Sequence, residues 1–235
     1  MLEQLTPMKR PAILAVSGFS SEVGKTTLMC DLLRAVPGWE AIKVTRGHYR
    51  SCGKDPQACC VSDLLGDEPV IRSGREQNYS SGKDTGRYWD SGAANVHWVI
   101  VTDVQVESGI KQALARVKAP GVFIEGNGIL DFIQADFVLM VSRASGGKIK
   151  GSARQALENS SAIYLSNITE EETDERDKFA LWRKQSGMDN LIGDLPIYTR
   201  QDLPALIALV QEIELNSHLL TRDPIAAPQN PLIPT

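Results

Sequence analysis

Over most of the chain, short apolar-rich runs alternate with stretches in which apolar positions recur every three or four residues. The runs at 12–16, 40–45, 97–102, 121–125, 137–141 and 162–165 are of strand length, and the most continuously apolar of them read as strands covered on both faces. Helical spacing predicts helices at 25–36, 106–118, around 152–159, 170–184 and 202–214, the first of them stopped by Pro37-Gly38. Strands that alternate with helices in this order indicate a mostly parallel sheet. The expectation is a three-layer α/β fold with helices on both faces.

The pattern breaks between about 46 and 92, where Gly, Ser, Asp, Lys and Arg dominate and three cysteines appear. A structureless loop in a compact domain rarely exceeds about 15 residues, so this stretch reads as a functional insertion. A second change comes at the end, where Pro224, Pro228, Pro231 and Pro234 fall close together. The reading is one domain over 1–220 that carries the insertion, followed by a Pro-rich tail over 221–235. There is no internal repeat or coiled-coil pattern.

Composition narrows the function without naming it. With 42% hydrophobic and 23% charged residues and a formal net charge of −4, nothing suggests a general nucleic-acid or membrane partner, and any basic site must be local. No apolar run approaches the roughly 18 residues that cross a bilayer, and the start MLEQLTPMKRP lacks the apolar segment of a secretory signal. A cytoplasmic protein is expected. Four cysteines in 235 residues suit reduced thiols or a metal site better than a disulfide scaffold.

Between the first strand and the first helix stands Ser17-Gly18-Phe19-Ser20-Ser21-Glu22-Val23-Gly24-Lys25-Thr26-Thr27-Leu28. Strand, glycine-bearing loop and helix are the context of a phosphate-binding loop. Backbone amides at the helix start can surround a phosphate, Lys25 can neutralise it, and the Thr26 hydroxyl can coordinate Mg²⁺. The expected phosphate contacts are Gly18, Ser21, Glu22, Val23, Gly24, Lys25, Thr26 and Thr27. Further along, Glu125 in Glu125-Gly126-Asn127-Gly128 stands at the carboxyl end of a strand, where ligands gather in open α/β sheets. It can join Thr26 on Mg²⁺, with Asp103 at the end of the preceding strand as a weaker third candidate. Lys25 and Glu125 are the expected catalytic residues.

The usual loop spacing is G-x-x-x-x-G-K-[ST], whereas five residues separate Gly18 from Gly24 here. That longer loop resembles dethiobiotin synthetase and its relatives, a branch of the P-loop NTPase proteins. Partition and arsenite-pump ATPases of the same branch carry an extra lysine where this chain has Ser20, which argues against them. The Glu125-Gly126 segment is similar both to dethiobiotin synthetase and to the molybdopterin-guanine dinucleotide biosynthesis protein B family. Ile42-Lys43-Val44-Thr45-Arg46-Gly47-His48 and Gly82-Lys83-Asp84-Thr85-Gly86-Arg87 resemble further segments of the protein B family, although two histidine-bearing positions of that family are changed. The resemblance covers roughly the first 145 residues in scattered pieces.

It implies a P-loop NTPase fold and a Mg²⁺-dependent GTP- or ATP-binding protein that acts in molybdenum cofactor biosynthesis, with slow hydrolysis and a homodimeric assembly. Lys43 and Arg87 would then hold an anionic second substrate, and Asn167 would touch the base. Two other readings stay open: an ATP-dependent ligase or kinase of the dethiobiotin synthetase kind, with Lys43 on a carboxylate or carbamate, and a non-enzymatic dimeric scaffold.

His48, Cys52, Cys59 and Cys60 fall within thirteen residues, and thiolates with imidazole suit Zn²⁺ or an iron–sulfur cluster. The spacing lacks a C-x-x-C knuckle, which favours structural thiols or an occasional disulfide over a metal, with thiol catalysis third. Cys30 reads as a small buried hydrophobe, and His97 as a packed or edge residue.

Overall fold

The computed structural model describes residues 10–47, 61–166 and 175–217. Eight strands form one sheet: β1 (Ala12–Gly18), β2 (Glu40–Arg46), β3 (Val70–Ser73), β4 (Val96–Val101), β5 (Gly121–Glu125), β6 (Phe137–Arg143), β7 (Ala162–Ser166) and β8 (Ile197–Tyr198). Their order across the sheet is β3-β4-β2-β5-β1-β6-β7-β8. Every pairing is parallel except that of β3 with β4. The connections are α1 (Lys25–Ala35), α2 (Arg75–Asn78), α3 (Asp84–Asp90), α4 (Val106–Leu114), α5 (Gly151–Glu158), α6 (Glu175–Gln185), α7 (Asp189–Ile192) and α8 (Leu203–Asn216).

The two faces of β1 show why the chain needs helices on both sides. Ala12, Leu14 and Val16 join Leu28, Met29, Leu32 and Leu33 of α1, Tyr88 of α3, and Leu206 and Val210 of α8 in one buried cluster. Ile13 and Ala15 join Ile110 of α4, Leu157 of α5, Phe179 of α6 and Ile192 of α7 in the other. Each large aliphatic side chain taken out of water contributes about 1.5–3 kcal/mol, so neither face of the central strand could be left bare. The three-layer α/β expectation holds: the sheet is mostly parallel and has helices on both faces. Cys30 is buried within the α1 cluster as expected.

The described part of the 46–92 stretch joins the same sheet. It supplies the antiparallel edge strand β3 and the helices α2 and α3, and α3 lies against α1. The Pro-rich tail lies outside the described residues. No helix among those described is long and apolar enough to cross a membrane.

At the opposite end of the sheet from the strand carboxyl termini, His97 is buried. Its Nε2 donates to Glu40 Oε2 at 2.6 Å, and its Nδ1 lies 2.8 Å from the Ser73 hydroxyl. Glu40 Oε1 accepts from the amides of Lys118 and Ala119 at 3.0 Å each. Burial works against the Glu40 charge, but the His97 and amide hydrogen bonds outweigh it and hold the carboxyl below its ordinary pKa. A carboxylate depressed in the folded state stabilises above its unfolded value, and that contribution disappears as pH falls through the folded one. Glu40→Gln is therefore expected to cost about 2 kcal/mol in urea unfolding at neutral pH. The gap to the unmodified protein should narrow as pH falls below the ordinary glutamate value, about 4.3, and close only below the depressed value of the folded state. An equal gap at neutral and acid pH would contradict an ionised Glu40.

Candidate functional site

The order of the strands sets the position of the site. From β1 the chain crosses to β2 on one side, and from β5 it crosses back over β1 to β6 on the other. The loops after β1 and β5 therefore diverge at one rim, and the crevice between them is where an α/β sheet collects its ligand. A cleft of about 800 Å³ occupies that crevice. Five cations line it, Lys25, Lys43, Arg46, Arg87 and Lys150, together with the acids Glu22, Asp84 and Glu125.

The loop between β1 and α1 is fixed from several directions. Gly24 takes a left-handed conformation at φ 93° and is the residue from which α1 starts; a Cβ there would also lie 2.9 Å from Ser166 Cβ. Glu22 has φ 59°, a region that costs a non-glycine residue energy and that collects at functional loops. Asn127, in the loop after β5, clamps Gly18 through both backbone groups: its amide donates to the Gly18 carbonyl, and the Gly18 N–H donates to its Oδ1, each at 2.9 Å. The Ser166 hydroxyl donates to the Val23 carbonyl at 2.5 Å, Arg143 donates to the Glu22 carbonyl at 3.2 Å, and Lys150 Nζ donates to Ser21 Oγ at 2.7 Å. Phe19 packs against Trp182 and Phe179 of α6, with ring centroids 5.7 and 6.3 Å away.

Among the described residues no side chain caps α1, and its first turn holds no acid. The first amides of α1 and the positive end of its dipole are thus not satisfied by the helix's own side chains. Lys25 Nζ donates to the Ser20 carbonyl at 3.1 Å. Burial, the largest influence, pushes its ammonium below the usual lysine pKa; nearby Lys43 and Lys150 add to this, while Glu125 and Asp84 oppose it.

Register explains the acidic half. Glu125 is paired with Val16 of β1 and with Lys43 of β2, so the carboxylate and the β2 lysine arrive side by side. Lys43 Nζ lies 2.7 Å from Glu125 Oε1 and 2.6 Å from Asp84 Oδ2. Burial disfavours the Lys43 charge, yet the two carboxylates more than compensate and raise its pKa. The other Glu125 oxygen accepts from the Thr26 hydroxyl at 3.1 Å and from the Tyr88 hydroxyl. Burial and the adjoining Glu125 push the Tyr88 phenol well above its ordinary value, so it stays a donor. Asp84 is held ionised against its own burial, chiefly by Lys43, and the Thr26 hydroxyl is within hydrogen-bonding reach of it as well.

Ser21, Glu22, Gly24, Lys25, Thr26 and Thr27 of the expected loop contacts line the cleft with Lys43, Arg87 and Glu125, and Arg87 Nη2 donates to Thr27 Oγ1 at 3.3 Å; Gly18 and Val23 lie outside that lining, Val23 being buried in the α1 cluster. Asp103 is not brought to Thr26 and Glu125: it is exposed, outside the cleft lining, and 3.5 Å from Arg46 Nη1. Asn167, His48, Cys52, Cys59 and Cys60 lie outside the described residues. Among the described residues there is no cluster of three or more His, Cys, Asp or Glu suited to a metal. Sequence does not single out Asp84, Asn127 or Lys150 as site residues, and Tyr88 reads equally as packing or as stacking on a ligand. For Asp84 a signal existed, a carboxylate directly after Gly82-Lys83 in a segment already read as functional; for Lys150 there was none.

No family model matches this chain, and no curated protein matches it. Among solved structures, HypB from Helicobacter pylori in complex with nickel is similar, at 12% identity over 92% of each chain and a TM-score of 0.48. Similarity of that degree says nothing about ligand or reaction.

Proposed function

We propose that the protein binds a purine nucleoside triphosphate with Mg²⁺ at the rim of β1 and β5 and hydrolyses it slowly in the course of acting on a second, anionic ligand. The observation that carries this reading is the meeting of Thr26 and Glu125, 99 residues apart in sequence, at 3.1 Å beside the uncapped start of α1. The α1 amides and Lys25 would hold the β- and γ-phosphates. The Thr26 hydroxyl with Glu125 and Asp84 offers hard oxygen donors that fit Mg²⁺, which commonly takes one or two carboxylates and completes its shell with phosphate oxygens and water. Bound there, Mg²⁺ would neutralise charge on the transferring phosphoryl group. Tyr88 keeps the Glu125 carboxylate oriented, and Arg87 and Lys150 add positive charge at the cleft wall. Positioning and charge stabilisation of this kind suffice for phosphoryl transfer without a covalent nucleophile.

For the biological role, the segment similarities favour an accessory part in molybdopterin-guanine dinucleotide assembly, as a homodimer. One observation favours the ligase or kinase alternative: Lys43 reaches into the same cleft as Lys25, where it could meet a carboxylate or carbamate. A panel assay separates the two, since a nucleotide hydrolase turns over alone and a ligase needs its acceptor.

Thr26→Ala is expected to leave metal-free nucleotide binding within about twofold while removing most of the roughly tenfold or greater gain that Mg²⁺ gives a site of this kind. Titration with and without Mg²⁺ checks it. A Mg²⁺ gain undiminished in Thr26→Ala would remove Thr26 from the metal site.

A further inference from the structure

We propose that Lys43 is a built-in cation that occupies the divalent-metal position of the cleft, so that the protein excludes free metal and admits it only together with nucleotide. This deepens the nucleotide reading above and rests on it. Lys43 Nζ sits between Glu125 Oε1 and Asp84 Oδ2 at 2.7 and 2.6 Å. The second Glu125 oxygen is already taken by the Thr26 and Tyr88 hydroxyls. Both Glu125 oxygens and one Asp84 oxygen are therefore engaged by an ammonium group and hydroxyl protons. Mg²⁺ binds oxygen at about 2.0–2.1 Å, so a metal on these carboxylates and an ammonium at its present distance would crowd two positive charges into one small volume. One of them must leave.

Free metal that displaced Lys43 would strand it. The side chain is only 17% exposed, and the other charged groups lining its cleft are largely cationic: Lys25, Arg46, Arg87 and Lys150. A buried cation that loses its partners carries a heavy desolvation penalty, which opposes metal entry. A triphosphate changes this balance because it brings several negative oxygens into the cleft. Lys43 can then turn from the carboxylates to phosphate while the metal takes its place. The same two carboxylates thus serve two cations in succession, and metal and nucleotide bind with strong positive coupling. The register of Lys43 with Glu125 in β2 and β5 makes the arrangement a property of the sheet, not of a loop.

The test uses the full-length protein and Mn²⁺ as a spectroscopic stand-in for Mg²⁺, with bound and free ion separated by electron paramagnetic resonance. Without nucleotide, the unmodified protein is expected to show no saturable Mn²⁺ binding in the micromolar range, and Lys43→Met and Lys43→Gln each to bind Mn²⁺ at least tenfold more tightly. Lys43→Arg, which keeps the charge, should remain refractory, and Asp84→Asn placed on Lys43→Met should erase the gain. With a non-hydrolysable GTP or ATP analogue present, the unmodified protein should take up one Mn²⁺. Micromolar Mn²⁺ binding by the unmodified protein alone overturns the proposal whatever the variants do. So does a folded Lys43→Met or Lys43→Gln that gains nothing. Failure of the nucleotide reading has a different signature: no analogue binds to any form, although the metal gain of the Lys43 variants is still seen.

Discussion

Lys25→Ala is expected to weaken Mg-nucleotide binding by at least about 100-fold, the loss of two charge-assisted hydrogen bonds of about 1.5–3 kcal/mol each, measured by calorimetric titration. Lys25 is held in a setting that burial and two neighbouring lysines make uncomfortable for its charge, and its Nζ donates to a backbone carbonyl. An arriving phosphate would add negative charge to that of Glu125 and Asp84, which alone do not offset the burial. The same reasoning gives two secondary signatures. The unliganded variant should be no less stable than the unmodified protein, because the charge removed is one that folding disfavours. Nucleotide affinity should also fall as pH rises through the lowered pKa of Lys25, earlier than an ordinary lysine would dictate, since binding favours the protonated form. Micromolar affinity retained by Lys25→Ala would remove the phosphate from the α1 terminus.

Gly86→Ala is expected to cost about 2–3 kcal/mol, or roughly 5–10 °C in melting temperature, and to weaken nucleotide binding with it. A Cβ at Gly86 would lie 2.0 Å from the Ser80 carbonyl oxygen. The obstacle is backbone, so no rotamer change relieves it and α3 must move. The Thr85 hydroxyl donates to the Asn78 carbonyl at 2.7 Å, which ties the same helix to the same turn. Asp84, Arg87 and Tyr88 all belong to α3, so the displacement reaches Glu125, Lys43 and Thr27 directly. Gly151→Ala, where a Cβ would meet open space, should be near neutral in both measurements. A Gly86→Ala protein with unaltered melting and affinity would mean that α3 does not depend on this close approach.

The central elements were legible because each buries a long apolar face. The runs at 12–16, 121–125 and 137–141 match β1, β5 and β6 to within two residues. The elements that escaped are short or half-buried: β3 is a four-residue edge strand, β8 has two residues, α2 and α7 have four each, and α3 has seven in a stretch dominated by polar residues. None is long enough for a period to be visible. The predicted helix at 106–118 ends at Leu114, before Pro120 and after too few apolar positions to tell its last turn from a loop. In the candidate site the glycine loop and Glu125 were readable because their chemistry is local in sequence. The partnership of Glu125 with Lys43, Asp84 and Tyr88 depends on which strands are neighbours, and no one-dimensional pattern carries that. Tyr88 is instructive: an aromatic residue beside Trp89 reads equally as packing or as stacking on a ligand, and it packs, yet its hydroxyl also binds the buried carboxylate.

The clamp of Asn127 on Gly18 joins residues 109 positions apart, and Lys150 reaches Ser21 across 129. Contacts so distant in sequence form late, after the loops between them have been closed. The cleft therefore does not exist in any partly synthesised or partly folded chain that lacks β5, β6 or the start of α5. A ligand that recognises only the finished rim stabilises the completed fold and nothing that precedes it. Nucleotide bound there would thus favour only molecules in which β5, β6 and the start of α5 are already in place.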